Sequence, residues 1–292
     1  MSINNFEKYS FFFCNAQIIV ESNVPSFLYR VKSFYGNFPK NKMKEWKLGP
    51  IYNFTFSFYH YSTVPTYILY NAYMDTTNES DNLNLLFDIM SGYIFMRIIE
   101  DFQSSFYFLH ASAVSKEDAA IIFPALPQSG KTSILIGMLK RGFSYLGDDH
   151  APVHYENAHV YPYPTALCVK ESRVKLFDEL EALCQSNNVI NQNGCNIWLI
   201  PVQNIANCCI SEDCQIRFIV FPKYLPECST RIIPMSKSDS CIRLMHLAHS
   251  FRLYKEKSLN IVDKMVRHSE CFELIHSDIN AALDQISKIV GL

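Results

Sequence analysis

Apolar residues follow two different spacings along this chain, and the spacings predict where strands and helices form. Stretches rich in β-branched and aromatic residues predict strands at 10–22, 52–61, 66–70, 107–114, 119–126, 143–147, 154–163, 216–221, 231–234 and 271–275. Apolar residues at helical spacing predict helices at 24–36, 83–102, 133–141, 174–184, 236–251, 258–266 and 279–290. From about residue 105 onward strands alternate with helices, so we expect an α/β fold there, with a mixed central sheet and flanking helices.

A polar run at 75–82, DTTNESDN, separates the first strands from the long helix at 83–102. Runs of this composition are typical of loops. We therefore predict two domains, a smaller α+β domain at 1–80 and a larger one at 81–292. The long helix should pack on the core of the larger domain through one apolar stripe, formed by Leu83, Leu86, Ile89, Tyr93, Met96 and Ile99.

Composition excludes several classes of partner. The 292 residues are 49% hydrophobic and carry a net charge of −2, which is typical of a globular protein and gives no reason to expect nucleic acid or an anionic membrane as partner. No apolar run reaches the 18 or so residues that a membrane span needs. The ten cysteines form no C-x-x-C pair, and the first residues do not resemble a signal peptide. We expect a cytoplasmic protein with reduced thiols.

The stretch 109–153 contains the strongest candidate chemistry. A predicted strand leads into a turn-prone loop, PQSGKT, then into a helix, and the next strand ends in Asp148 and Asp149. Backbone N–H groups at such a helix start can bind phosphate, while Lys131 can contact the outer phosphates and Thr132 can offer its hydroxyl to Mg²⁺. The predicted phosphate-binding residues are Pro127, Gln128, Ser129, Gly130, Lys131, Thr132 and Ser133.

Two positions depart from the phosphate-loop pattern G-x-x-x-x-G-K-[ST]. Ala125 occupies the position of the first glycine, and Pro127 removes one N–H donor. Both changes favour a nucleotide-binding module that has lost catalysis. Retention of Lys131, Thr132 and the acidic pair favours an active enzyme.

The order and spacing of four short motifs resemble the catalytic core of the HPr kinase/phosphorylase family. The motifs are Leu109-His110-Ala111, Gly130-Lys131-Thr132, Arg141-Gly142 and Asp148-Asp149. The chain is more closely similar to the HPr-kinase-like enzymes of ribosomally made, post-translationally modified peptides. Some of these enzymes phosphorylate a serine of a precursor peptide, as in lasso peptide pathways.

The resemblance implies a P-loop kinase that uses ATP and Mg²⁺ to phosphorylate a Ser or Thr hydroxyl on a peptide or small protein, such as a natural-product precursor peptide. It implies that Asp148 is the general base, that Asp149 binds Mg²⁺ with Thr132, and that His110 and Lys131 assist catalysis. The roles of the two aspartates can be exchanged. A kinase for a small molecule such as free serine stays open as an alternative, as does a homo-oligomeric assembly.

Overall fold

The computed structural model describes residues 6–41, 52–60, 66–184, 189–192, 194–205, 208–249 and 255–291. The strands are β1 (Glu7–Phe13), β2 (Ala16–Ser22), β3 (Tyr52–His60), β4 (Tyr67–Asn71), β5 (Thr76–Ser80), β6 (Phe106–Leu109), β7 (Ala111–Lys116), β8 (Ala119–Pro124), β9 (Ser144–Gly147), β10 (Ala151–His154), β11 (His159–Val160), β12 (Leu167–Lys170), β13 (Val189–Gln192), β14 (Cys195–Ile200), β15 (Cys214–Tyr224), β16 (Arg231–Pro234) and β17 (Glu270–His276). The helices are α1 (Pro25–Tyr35), α2 (Leu83–Phe102), α3 (Lys131–Lys140), α4 (Glu171–Val174), α5 (Asp178–Leu183), α6 (Lys237–His246), α7 (Lys255–His268) and α8 (Ile279–Ile289). The fold is mixed α/β, as predicted.

The chain divides into two compact units that do not follow the predicted boundary between residues 80 and 81. The first unit comprises 1–101, 165–174 and 181–201, and the second comprises 102–164, 175–180 and 202–292. Nearly all of α2 belongs to the first unit. There the Phe87 ring of α2 packs against two rings of α1, with its centroid 6.1 Å from that of Phe27 and 5.6 Å from that of Phe34. The backbone N–H of Ala166 also donates to the Phe34 carbonyl at 2.8 Å, which joins the later segment to α1.

The first unit contains a five-stranded sheet in the order β1-β2-β3-β4-β5 and a three-stranded sheet in the order β12-β14-β13. The predicted single strand at 10–22 is a hairpin of β1 and β2, because Cys14 adopts a left-handed backbone conformation at φ 53° and reverses the chain. The polar run 75–82, predicted as a loop, contains β5, which pairs antiparallel with β4. Polar residues suit β5 because it is an edge strand, where charged and polar side chains prevent further pairing.

Two predictions for helices are wrong in detail. The buried residues of α2 include Leu86 and Ile99 of the predicted stripe, together with Phe87, Met90, Ile94 and Ile98, whereas Met96 of the predicted stripe is 54% exposed. The predicted helix at 174–184 is shortened to α5, because α4 already ends at Val174. Residues 189–192 form β13, and residues 185–188 lie outside the described part of the chain.

The second unit is built on a nine-stranded mixed sheet that positions the candidate site. The strands follow the order β6-β10-β11-β15-β8-β7-β9, with β17 beside β15 and β16 beside β17. β15 is parallel to both β8 and β17, while β7 is antiparallel to β8 and to β9. Thus β8, β9, β15 and β17 all point the same way, and their carboxyl ends lie at one edge of the sheet.

Three predicted elements of the second unit are shorter than the sequence indicated. The predicted strand at 107–114 breaks at His110 into β6, which pairs with β10, and β7, which pairs with β8. The predicted strand at 154–163 is reduced to β11, since β10 ends at His154. The predicted helix at 236–251 ends at His246, and the Ser236 side chain caps its start by accepting a hydrogen bond from the Asp239 backbone N–H.

Helix α3 is buried along most of its length and packs closely on α8. Its central side chains are almost fully buried, and each such residue contributes about 1.5–3 kcal/mol through removal from water. A Cβ atom built on Gly137 would lie 2.3 Å from Cδ1 of Leu283, so glycine is needed for this approach. The helix is followed by Gly142 in the left-handed conformation at φ 85°, which is common just past the end of a helix.

Among the described residues, no helix combines the length and apolar character needed to cross a bilayer.

Candidate functional site

The loop between β8 and α3 is shaped by two left-handed residues. Gln128 has φ 69°, and Gly130, at the amino cap of α3, has φ 94°. Helical hydrogen bonding begins when the Ile134 N–H donates to the Gly130 carbonyl at 3.0 Å. The first amides of a helix have no partner inside the helix, so this helix start is suited to an anion.

Lys131 is held inside the loop by four neighbours. Its ammonium donates to the carbonyls of Ala125 at 2.9 Å and Leu126 at 3.4 Å, and it lies 3.1 Å from Nε2 of His110. A carboxylate oxygen of Asp149 lies 3.6 Å away. The side chain is only 5% exposed, so this positive charge is fixed at the mouth of the loop.

Asp148 is buried and accepts two hydroxyl hydrogen bonds. Ser112 donates to one carboxylate oxygen at 2.5 Å, and Thr132 donates to the other at 3.0 Å. Burial, together with the nearby charge of Asp149, raises the pKa of Asp148 to about 7. The pair of Thr132 and Asp148 joins the start of α3 to the end of β9.

Asp149 faces a different environment from its neighbour. β9 ends at Gly147, where a Cβ atom would lie 2.7 Å from the carbonyl oxygen of His150, and Asp149 itself is left-handed at φ 66°. This bend allows consecutive carboxylates to approach the same loop, although successive strand residues normally face opposite sides. The Asp149 side chain is 48% exposed, so its carboxylate remains accessible to another molecule.

His110 lies between Asp149 and Lys131. Its Nδ1 is 3.1 Å from the Asp149 carbonyl oxygen, and this contact requires Nδ1 to carry the proton. Nε2 can then accept from the Lys131 ammonium. Burial and the adjacent charge of Lys131 lower the pKa of His110, which favours this neutral form. The imidazole therefore positions the Lys131 ammonium and the backbone of Asp149.

Three residues of the site carried no signal in the sequence. Ser112 bonds Asp148, and His276 at the end of β17 approaches the Ser129 carbonyl, with its Nε2 3.4 Å away. The His249 ring centroid lies 5.8 Å from that of His110, because residues 247–249 run alongside β6. Burial and the proximity of His110 lower the pKa of His249 to about 4. Only the tertiary fold brings these residues together.

The remaining predicted residues are distributed around the loop. Pro127 and Gln128 are exposed, Ser129 is half-buried, and Ser133 is buried on the first turn of α3. Within the described chain, no group of three or more His, Cys, Asp or Glu side chains is arranged to hold a metal ion. Thr132 and Asp148 form a smaller set of two oxygen donors.

No protein-family model matches the sequence, and no curated protein matches it.

Proposed function

We propose that this protein is a Mg²⁺- and ATP-dependent phosphotransferase with a P-loop kinase core. Its acceptor would be the hydroxyl of a Ser or Thr residue in a peptide or small protein, such as a natural-product precursor peptide. The main support for the proposal is that two pairs of side chains meet at the start of α3. Thr132 bonds Asp148 there, and Lys131 lies beside Asp149.

The donor set suits Mg²⁺ in a nucleotide complex. Mg²⁺ retains several waters and usually takes one or two protein oxygens together with phosphate oxygens. Thr132 Oγ1 and the Asp148 carboxylate lie 3.0 Å apart and supply that number. When bound, Mg²⁺ would neutralise charge on the outer phosphates, while Lys131 would contact the same phosphates from within the loop.

The geometry favours the exchanged roles of the two aspartates. Asp148 is enclosed by Ser112 and Thr132, whereas Asp149 is half exposed and therefore open to an acceptor hydroxyl. Asp149 would accept the acceptor's proton as the oxygen attacks the terminal phosphorus. The new O–P bond forms as the bond between that phosphorus and the bridging oxygen breaks, and ADP leaves with the bridging oxygen.

The test uses Asp149→Asn and Asp148→Asn with Mg-ATP affinity and turnover measured on the same preparations. We expect Asp149→Asn to lower turnover about 10²–10⁴-fold with Mg-ATP affinity retained. Asp148→Asn should lose the dependence of nucleotide binding on Mg²⁺. If Asp148→Asn instead lowers turnover with Mg-ATP affinity retained, and Asp149→Asn loses the Mg²⁺ dependence, then Asp148 is the general base. Wild-type turnover in both variants would exclude the kinase assignment.

Two other functions use the same site. A small-molecule kinase would phosphorylate free serine with the same residues, and mass spectrometry of the protein incubated with ATP and either acceptor separates the two activities. A catalytically inactive nucleotide-binding module is favoured by Ala125 and Pro127 in the loop. This module would bind ATP without phosphorylating any acceptor.

A further inference from the structure

The phosphate loop has two flanks, and only one of them carries the proposed chemistry. The aspartates follow β9, which lies on the same side of β8 as β7. On the other side of β8 lie β15 and β17, whose carboxyl ends reach the same edge of the sheet. If the terminal phosphate lies against the aspartates, the nucleoside must extend over another part of this edge.

The end of β17 is in direct contact with the phosphate loop. A Cβ atom on Gly130 would lie 3.0 Å from both Cε1 and Nε2 of His276. The same Nε2 lies 3.4 Å from the Ser129 carbonyl oxygen. The His276 ring therefore fills the space that a side chain at Gly130 would need and supports the loop from the β17 flank.

Beyond this histidine lies an exposed aromatic ring. The Tyr224 ring, at the end of β15, has its centroid 5.7 Å from that of His276, with an angle of 69° between the two planes. Tyr224 is 39% exposed, and Leu225 beside it is 37% exposed. An exposed apolar surface thus lies next to His276, which separates it from the phosphate loop, on the flank of the loop opposite the aspartates.

We propose that Tyr224 stacks on the base of the donor nucleotide and so makes the donor a nucleoside triphosphate rather than inorganic pyrophosphate or triphosphate. This inference rests on the proposed function, since it assumes that the loop binds phosphates. A nucleobase presents a π-face of the kind that aromatic side chains stack against, and each such contact contributes measurably to affinity. His276 acts as a positioning residue between the base site and the loop.

The experiment compares the affinity of ATP with that of inorganic triphosphate, both with Mg²⁺, by calorimetry. The proteins are the wild type, Tyr224→Ala, Tyr224→Phe and Tyr29→Ala. Tyr29 on α1 is 59% exposed and serves as the matched control. We expect Tyr224→Ala to weaken ATP binding roughly 5- to 100-fold and to leave triphosphate binding unchanged. Tyr224→Phe, which keeps the ring, and Tyr29→Ala should both bind ATP as the wild type does.

The outcomes separate this inference from the proposed function. If the wild type binds neither ligand, the phosphate site itself is wrong and both ideas fail. If the wild type binds both ligands and Tyr224→Ala keeps full ATP affinity, the base site is overturned while the phosphate site stands. A loss of triphosphate affinity in folded Tyr224→Ala protein also overturns it, because the residue would then act on the loop rather than on the base.

Discussion

The two ends of α3 each carry a lysine close to a carboxylate, but in opposite environments. At the amino end Lys131 is 5% exposed and lies 3.6 Å from Asp149, while at the carboxyl end Lys140 lies 2.7 Å from Glu179 with both side chains exposed to solvent. We expect the pair with the longer distance to matter more, because solvent screens the exposed pair, whereas the Lys131 side chain is almost fully buried. Burial, rather than distance, distinguishes the candidate site from an ordinary surface ion pair.

The largest effect that this comparison predicts is on activity. Lys131→Ala should lower phosphoryl transfer roughly 10²–10³-fold and weaken ATP binding, because it removes a fixed positive charge from the phosphates. Lys140→Ala is the matched control and should leave both within about twofold of the wild type, as expected for an exposed pair. Turnover and ATP affinity check this prediction, and equal effects of the two variants would contradict it.

The amino end of α3 was the part of the site most accessible to sequence reasoning. The Gly-Lys-Thr loop, its flanking strand and helix, and the acidic pair are contiguous or nearly so, and local patterns therefore located them. The loop itself supplies the carbonyls that bind the lysine, but the His110 ring comes from farther away, between β6 and β7. No periodicity reveals that β7 runs between β8 and β9 and brings Ser112 to Asp148.

Predictions failed where local composition and tertiary pairing disagreed. The polar residues of β5 have loop composition, yet β5 forms the edge of a sheet. The helical pattern continues to residue 251, yet the helix ends at His246 and residues 247–249 pair with β6. In both cases backbone hydrogen bonds to another strand outweighed the local preference, which is a weak guide to structure.

The glycines at the two ends of α3 should differ in how much their substitution lowers the stability of the fold. Gly130 and Gly142 are both left-handed, with φ 94° and 85°, but only Gly130 faces a neighbour, the His276 ring at 3.0 Å from a built Cβ. Gly142→Ala should cost about 1–2 kcal/mol of unfolding free energy from backbone strain alone. Gly130→Ala should cost about 2–4 kcal/mol, because overpacking against the ring adds to that strain.

Urea denaturation of both glycine variants measures the two costs, and calorimetry with Mg-ATP provides a second readout. Only Gly130→Ala should lose nucleotide affinity, since Gly142 lies at the far end of the helix. Equal destabilisation by the two substitutions would show that the His276 ring yields to the added methyl group.

A smaller effect is expected from Asp148, and its size depends on pH. Burial and Asp149 raise the folded-state pKa of Asp148 to about 7 from a usual value of 3.8, so ionisation costs more in the folded state than in the unfolded state. This cost is absent below pH 3.8, grows between pH 3.8 and 7, and is complete above pH 7. Without nucleotide and Mg²⁺, Asp148→Asn should therefore be more stable than the wild type at pH 8 and nearly as stable as the wild type at pH 4.

Thermal denaturation at the two pH values checks this prediction. The Asn side chain retains the approximate shape of the carboxylate and can still accept from a hydroxyl through its carbonyl oxygen. A variant less stable than the wild type at pH 8 would mean that the hydrogen bonds of Ser112 and Thr132 to the charged form outweigh the cost of burying it.

The smallest effect should come from the contact that joins the carboxyl end of α3 to α8. One guanidinium nitrogen of Arg141 donates to the Ser287 hydroxyl at 2.7 Å, and another lies 2.6 Å from the carboxylate of Asp284. Both charged side chains are partly exposed, so Arg141→Ala should cost no more than about 1 kcal/mol of unfolding free energy.

Urea denaturation of wild type and variant in low salt and in 1 M NaCl measures the electrostatic part of this free energy, which should shrink in high salt because the Debye length falls to about 3 Å. A salt-independent loss above about 2 kcal/mol would instead assign Arg141 a packing role between the helices, since removal of its apolar stem also exposes a surface.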